Sequence, residues 1–513
     1  MRCAFLALTL LADSLLVAAQ PSSPEGSNRA SQLTQDEASD VDPEAEPDAE
    51  VPSPGLRALR AAVEQTVILA LGTAWYWLDK KHNVADWDFD SWRERLSGEA
   101  FRYDNNAFAI NWVFHPASGS AMYGLPRANG MSVPAAYAYA FLTSFTWEWM
   151  LEFRERFSIN DQIATPTAGM ALGEFLVKVA RYLNSMPRPS LGRRVLAWTA
   201  GLPAAMHRAM DGRPAPTGPT DRFGYALPLW RRFLLSAGPR HVQRGASGAW
   251  LGELRFAGEL VELRRFLEPG RRRRRFGDAN VTRLRARATR GAEGGGFEMY
   301  ADTTFAGFAR EAITERQGRR FGHAVVVGSN VAFFYRRQSF GVWSDRLGVV
   351  GLPGLALDVH ILRDELRLTA RGRLNADFAG VHAATFQQWA RRRRPDEVAK
   401  SILVKQGYYY GWGLSARLEA ELVGRWIEAG ARWMLGRWWS HEGLDRNQAA
   451  VTADLALSDR RVDLEGWLRL RPGRHGLFFE IALARTWRRA ALETLPTERD
   501  ALNSYHLSVG ILR

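Results

Sequence analysis

Leu366-Arg367-Leu368-Thr369-Ala370-Arg371-Gly372-Arg373-Leu374-Asn375-Ala376-Asp377-Phe378 alternates without a break between apolar or small residues and polar ones. A period of two places successive side chains on opposite faces of an extended strand. One face here is dry and the other carries three arginines, an asparagine and an aspartate. The same pattern returns at 248–260, where Leu254, Phe256 and Leu260 alternate with Glu253, Arg255 and Glu259. It returns again at 408–422, from Tyr408 to Leu422, and at 462–470, where Val462, Leu464 and Leu468 alternate with Asp463, Glu465 and Arg469.

Weaker alternation marks 280–289, 297–308, 323–335, 347–362, 426–437, 448–457, 476–487 and 503–513. The C-terminal half therefore holds twelve candidate strands. Their length and spacing suit a transmembrane β-barrel, whose signal is alternation rather than bulk hydropathy. Tyr408, Tyr410 and Trp412, with Trp433, Trp438 and Trp439, fit an interfacial aromatic girdle. The last residue is Arg513 rather than an aromatic one. A soluble sandwich with one wet face is the competing architecture. In a barrel, Arg255, Arg367, Arg371, Arg373, Arg417, Glu419, Glu465 and Arg469 point into the lumen, with Glu253, Arg283, Arg285, Arg287, Glu428 and Arg432. Such a filling of both signs predicts a lumen plugged by ion pairs, with residual preference for anions if anything passes.

Upstream of the strands the period lengthens. Leu56–Leu78, Val133–Phe157 and Ile159–Leu183 read as helices, the last two joined by a short turn and therefore antiparallel neighbours. Glu148, Glu152, Glu155, Asp161, Glu174 and Lys178 interrupt the pair, which argues for a compact domain rather than three membrane spans. Ser158-Ile159-Asn160-Asp161 reads as a capping box with Asp in the acidic position. Between helices, Pro116, Gly119 and Gly130 predict a loop that carries Asn105, Asn106, Asn111, His115, Tyr123 and Arg127. The spacing sets Glu148 and Glu152 on one face, opposite Asp161 and Thr165. It predicts a hydrogen bond to Glu148 from Thr165 or Thr167, and Arg127 as the cation between Glu152 and Asp161.

The run His115-Pro116-x-x-Gly119-x-x-x-Tyr123-x-x-x-Arg127-x-x-Gly130, with Ser144-x-x-Trp147-Glu148-x-x-x-Glu152 and Ser158-Ile159-Asn160-Asp161-x-x-x-Thr165-x-x-x-Gly169-x-x-x-Gly173-Glu174, resembles domain-of-unknown-function family 3943. That family groups uncharacterised bacterial envelope proteins, and the resemblance, over about residues 85–185, implies location more than activity. Phe157-Ser158-x-x-Asp161…Gly169 is also similar to the core of VanZ-like helical membrane proteins.

The ends and the composition agree with export. Met1-Arg2, the apolar residues Ala4–Ala12 and Leu15–Val17, and Val17-Ala18-Ala19 read as a signal peptide over 1–19. Residues 20–55 hold nine acids against Arg29 among Pro, Ser and Ala, and read as a disordered acidic linker. The 513 residues carry a formal net charge of +13, and only five of the 68 basic residues are lysine. Nucleic-acid binding wants basic residues clustered with stacking aromatics, and these arginines lie along alternating strands instead. The single cysteine, Cys3, excludes disulfide frameworks and iron–sulfur clusters. Neither a metal-ligand spacing nor a cofactor motif is present.

The chain therefore reads as α+β: signal peptide 1–19, linker 20–55, helical domain 56–215, connector 216–247, and an antiparallel β-barrel of outer-membrane type over 248–513. The expected place is the outer membrane of a Gram-negative bacterium, with the helical domain in the periplasm. The expected role is structural, or contact with lipid or glycolipid. A hydrolase using His115, Glu148, Glu152 and Asp161, with Arg127, Tyr123, Thr165 and Glu174 in the same polar network, is the first rival, and a small anion channel the second. If strand 248–260 runs outward, Arg271, Arg272, Arg273, Arg274 and Arg275 lie outside, facing lipopolysaccharide phosphates, and Arg391–Arg394 lie on the periplasmic side.

Overall fold

The computed structural model describes residues 53–78, 91–153, 155–187, 189–212, 220, 224–226, 229–473, 476–492 and 495–512. The stretch expected to be a signal peptide and nearly all of the stretch expected to be an acidic linker fall outside these residues.

Six helices come first: α1 (Pro54–Leu78), α2 (Ser91–Ser97), α3 (His115–Ala128), α4 (Val133–Thr146), α5 (Ile159–Leu183) and α6 (Leu191–Met210). A single wide helical turn, Ile110–Phe114, leads into α3, and another, Trp147–Leu151, extends α4. The stretch expected to be a loop is thus largely helix. Pro116 stands in the first turn of α3, where a missing N–H costs nothing, so it starts the helix rather than breaking it.

Thirteen strands follow: β1 (Trp230–Arg244), β2 (Ser247–Val261), β3 (Gly270–Phe276), β4 (Val281–Gly291), β5 (Gly294–Arg316), β6 (Arg319–Phe340), β7 (Trp343–Asp364), β8 (Leu366–His382), β9 (Tyr408–Val423), β10 (Ile427–Ser440), β11 (Leu457–Leu470), β12 (Leu477–Leu492) and β13 (Glu498–Leu512). Two short helices, α7 (Phe386–Arg392) and α8 (Ser401–Gln406), sit in the loop between β8 and β9. All strand pairs are antiparallel, and β1 pairs with β13 while β5 pairs with β6. Twelve strands therefore close a ring; β3 extends the place of β4 along the far half of β5. Closure removes both sheet edges, which a soluble sandwich would leave open.

The strand count matches the expectation for a mixed reason. β1 lies inside the stretch expected to be a connector, while of 448–457 all but Leu457, the first residue of β11, is a loop with a short turn at Gln448–Ala450. One omission and one surplus cancel.

Ion pairs identify the lumen. Arg255 of β2 reaches Glu465 of β11 at 3.0 Å and Glu480 of β12 at 2.7 Å, and Arg336 of β6 reaches Asp463 of β11 at 2.9 Å. These strands are not neighbours, so the contacts cross the interior. The opposite, outward face carries an apolar belt: Leu414–Leu422 on β9, Ile427–Leu435 on β10 and Val462–Leu470 on β11 each hold their outward apolar residues within nine positions. A bilayer needs about 9–11 residues of tilted strand. Arg437, Arg460 and Arg485 follow the belt at one end, called here the loop end, beside the exposed Trp412 and Trp439. At the other end, the turn end, β9–β10 turns directly at the belt's edge. Tyr408, Tyr410 and Trp438 do not join the girdle, because all three are buried.

The helices lie along the outer wall of this barrel rather than standing apart from it. Phe333 and Val331 of β6, Ala301 of β5 and Phe256 and Leu260 of β2 face outward, and α5 packs on them. Thr303 of β5 also donates its hydroxyl to the carbonyl of Ala171 in α5 at 3.2 Å. The wall is cut low to receive the helices. A Cβ on Gly348 or Gly380 would lie 2.2 Å from the Trp112 indole, which therefore rests on bare backbone. α3 and α4 cover α5, and α1 lies outermost.

Candidate functional site

Among the described residues, three places that gather polar side chains stand out, and the third of them is open. The first is the lumen. Arg283 bonds Glu259 (2.9 Å) and Asp358 (2.5 Å); Arg371 bonds Glu259 (2.7 Å) and Glu419 (2.9 Å); Arg373 bonds Asp302 and Asp358 (2.8 Å each). Arg469 pairs with Glu428 and Glu480, and Arg287 with Glu465. Arg417 lies over the Tyr300 ring at 4.1 Å and Arg367 over Trp230 at 5.6 Å. All eight residues expected in the lumen face it, among many acids that alternation alone did not single out. Arg461 and Arg488 of β11 and β12, holding Asp345 and Asp459, are the clearest additions.

Apolar caps close both ends. At the turn end Val261, Leu263, Phe266 and Leu267 pack on Ile313 and Val326. At the loop end Trp389, Leu403 and Leu455 from the long loops pack on Tyr409 and Trp438. Two cavities in the ionic layer measure about 90 and 50 Å3, room for a few waters.

The second place is the helix seam at the loop end. His115 Nε2 lies 3.4 Å from Asp161 Oδ1, and its Nδ1 lies 3.3 Å from Thr165 Oγ1. Glu148 accepts from the Ser158 amide at 3.2 Å, not from Thr165 or Thr167; Thr167 meets the Tyr137 hydroxyl instead. Glu152 accepts from the Trp147 indole at 2.9 Å. Ser158 makes no side-chain cap, so the expected capping box does not form. Asp104, from the segment before α3, takes bonds from Asn111 (2.7 Å) and the Tyr410 hydroxyl (2.5 Å). Asp104, Tyr408 and Tyr410 were not singled out as members. Their meeting depends on a strand docking under a helix, which spacing does not encode.

This cluster lies beyond the belt, level with the loop at Leu444. Burial pushes the Glu148 and Asp161 carboxyls well above their ordinary range, with Asp161 adding to the first and Asp104 to the second. Burial lowers the His115 pKa, against the charge of Asp104. Glu148 and Asp161 are buried and bonded to the chain itself, while the His115 side chain stays 19% exposed. Arg95, buried in α2, donates to the Glu148 and Trp149 carbonyls at 2.6 and 3.0 Å and fixes the turn that presents them.

Arg127 is not in that seam. It bonds Glu174 through Nε (2.8 Å) and Nη2 (2.9 Å), while the Tyr123 hydroxyl donates to the same carboxylate at 2.6 Å. Helical spacing explains the error: once 115–128 is helix, Arg127 lies more than three turns from His115, at the turn end.

There the third place opens, a groove of about 930 Å3 between α3, α5 and α6. Ala121, Leu125, Leu176, Val177, Pro203 and Ala204 line it with apolar surface. Arg57, Arg127, Arg181 and Arg208 also line it, against one carboxylate, Asp278, which Arg127 binds at 2.8 Å. Among the described residues, Arg57 Nε is buried with no hydrogen-bond partner. None of Arg57, Arg181 and Arg208 stood out in the sequence, because they come from three separate helices.

The arginine run also differs from its expectation. It is the strand β3, in which Arg272 and Arg274 turn inward onto Glu311 at 3.1 and 2.6 Å, leaving Arg271, Arg273 and Arg275 exposed. Among the described residues, no group of His, Cys, Asp or Glu is arranged to hold a metal.

Residues 100–202 match the family described as Domain of unknown function (DUF3943), as the resemblance implied. No curated protein sequence matches the chain. Among solved structures the chain is similar to the translocator domain of autotransporter NalP from Neisseria meningitidis, at 10% identity over 62% of this chain and 97% of that one, TM-score 0.19. It is also similar to an anion-selective porin from Comamonas acidovorans (7%, 56% and 99%, TM-score 0.22) and to a Pseudomonas aeruginosa FadL homologue (9%, 56% and 90%, TM-score 0.20). Scores this low say nothing of what the chain does, and the barrel rests on its own strand register.

Proposed function

We propose that the protein is an outer-membrane barrel sealed by its own ion pairs, whose helical layer binds an anionic amphiphile in the groove between α3, α5 and α6. One observation carries the binding: the groove joins an apolar floor to a rim of four arginines, and while Glu174 and Asp278 hold Arg127 and Glu262 holds Arg181 at 3.0 Å, the buried Nε of Arg57 has no hydrogen-bond partner among the described residues. A phospholipid matches both halves. Its chains remove about 0.8 kcal/mol of apolar exposure per methylene, and its phosphate accepts paired guanidinium bonds.

The belt supports the membrane. A charge on that face costs about 2–4 kcal/mol at mid-bilayer, and the belt residues between Leu414 and Leu422 that point outward are all apolar. Loop lengths support an orientation. The loops of 383–407 and 441–456 stand at the loop end, and both barrel termini, Trp230 and Leu512, at the turn end. Outer-membrane barrels keep short turns on the periplasmic side, so the turn end and its groove face the periplasm. In this orientation Arg271–Arg275 lie on the periplasmic side, and contact with outer-leaflet lipopolysaccharide is not part of the reading. The caps at both ends weigh against a resting channel, and the burial of Glu148 and Asp161 weighs against a hydrolase.

Native mass spectrometry in mild detergent with added phosphatidylglycerol tests the groove. The wild type retains one lipid, and Arg57→Glu with Arg181→Glu loses it. No retained lipid in the wild type, or equal retention in the variant, overturns the proposal.

A further inference from the structure

The outermost helix, α1, is built inside out. Its exposed residues from Leu56 to Leu78 are Leu56, Leu59, Val63, Thr66, Val67, Ala70, Leu71, Ala74, Trp75, Trp77 and Leu78. Not one is charged. Its covered side holds the polar groups instead: Gln65 donates to the Met122 carbonyl at 2.6 Å, and Glu64 meets Asn129 (2.8 Å) and His207 (2.5 Å). Thr66, alone among the exposed side chains in being polar, turns its hydroxyl back onto the Ala62 carbonyl at 2.9 Å. A water-facing helix shows the reverse pattern.

We infer that the exposed face of α1 lies in the hydrocarbon of the bilayer, making the helical layer an intramembrane flank of the barrel; the inference rests on the barrel being membrane-seated. Three further observations fit. Twenty-five residues rise about 37 Å, enough to cross a hydrocarbon core of about 30 Å. Arg57 and Arg60 mark one end and Trp75 and Trp77 the other, the anchors of two interfaces. Gly119 and Ser120 of α3 meet Gly169 and Gly173 of α5 at a backbone-close crossing, the small-residue packing that helices use where no water drives them together. No described helix is apolar enough throughout to cross a membrane by itself. α1 need not be, since half of it is covered by protein.

The competing occupant of this face is a second copy of the chain. To separate the two, a Cys3→Ser background receives Val63→Cys or Leu71→Cys, labelled with bimane in phosphatidylcholine vesicles. Ile481→Cys, on the belt, serves as reference. Mid-chain brominated phosphatidylcholine is expected to quench positions 63 and 71 as much as 481, and aqueous iodide to quench none of them. Quenching at 481 but not at 63 or 71, whether iodide replaces it or a self-crosslink shields it, overturns the inference alone. No bromine quenching at 481 overturns the membrane reading and the inference with it.

Discussion

Arg127 and Glu174 show what a single buried pair contributes. Both are buried, and Tyr123 and Lys178 close the same carboxylate, Lys178 Nζ standing 3.5 Å from it. Removing one partner strands a charge, which costs about 3–5 kcal/mol, while replacing both by apolar groups of similar volume is often neutral. Arg127→Met is therefore expected to lower the thermal midpoint of the helical layer, followed by near-ultraviolet circular dichroism. Arg127→Met with Glu174→Met is expected to recover most of the loss. If the single variant melts like the wild type, the pair is wet and the groove wall is not fixed by it.

Residue identity announced some neighbours and hid others. The lumen charges were legible, because alternation assigns a face to every second residue and ion pairing follows from crowding. The seam was only partly so. His115, Asp161 and Thr165 meet, yet Glu148 takes a backbone amide and Arg127 goes elsewhere. Which partner a buried carboxylate takes depends on the rotation of a helix whose two faces are both apolar, and α5 is buried all round.

At the scale of elements, β1 escaped notice because Pro239 and the adjacent Arg231-Arg232 break its alternation, although its register with β2 runs unbroken from Trp230 to Arg244. The segment 448–457 imitates a strand through Val451, Ala453, Leu455 and Leu457, while Lys400 bonded to Asp454 at 2.7 Å ties it down as a loop. The docking of helices on the wall did leave a trace. Several outward positions under α5 and Trp112 are small, at Gly258, Ala286, Ala301, Gly348 and Gly380, beside the larger Phe256, Leu260 and Phe333 that pack on the helix. The α3–α5 crossing depends on the same economy of volume, since a Cβ on Gly169 would lie 2.4 Å from the Gly119 backbone. Gly169→Leu is expected to detach the layer, so that limited proteolysis digests residues 53–210 while the barrel fragment persists. A wild-type cleavage pattern would show that the crossing yields.

The whole molecule is a charged cylinder closed at both ends, apolar outside, with a helical flank along part of its wall. Its ionic interior holds the ring together across non-adjacent strands, and its belt fits a bilayer and little else. Opposite requirements thus meet on alternate residues, which is why Leu366–Phe378 and the runs that repeat its pattern suggested the fold. The intramembrane reading of the helical flank and the lipid reading of the groove both depend on that barrel being in a membrane. The most direct measurement is gel mobility of the outer-membrane fraction with and without boiling in dodecyl sulfate. The account predicts that the protein sediments with the outer membrane and migrates faster unboiled, as a closed ring that resists detergent, then shifts to its full length on heating. Recovery in the soluble fraction, with one mobility under both conditions, would contradict it.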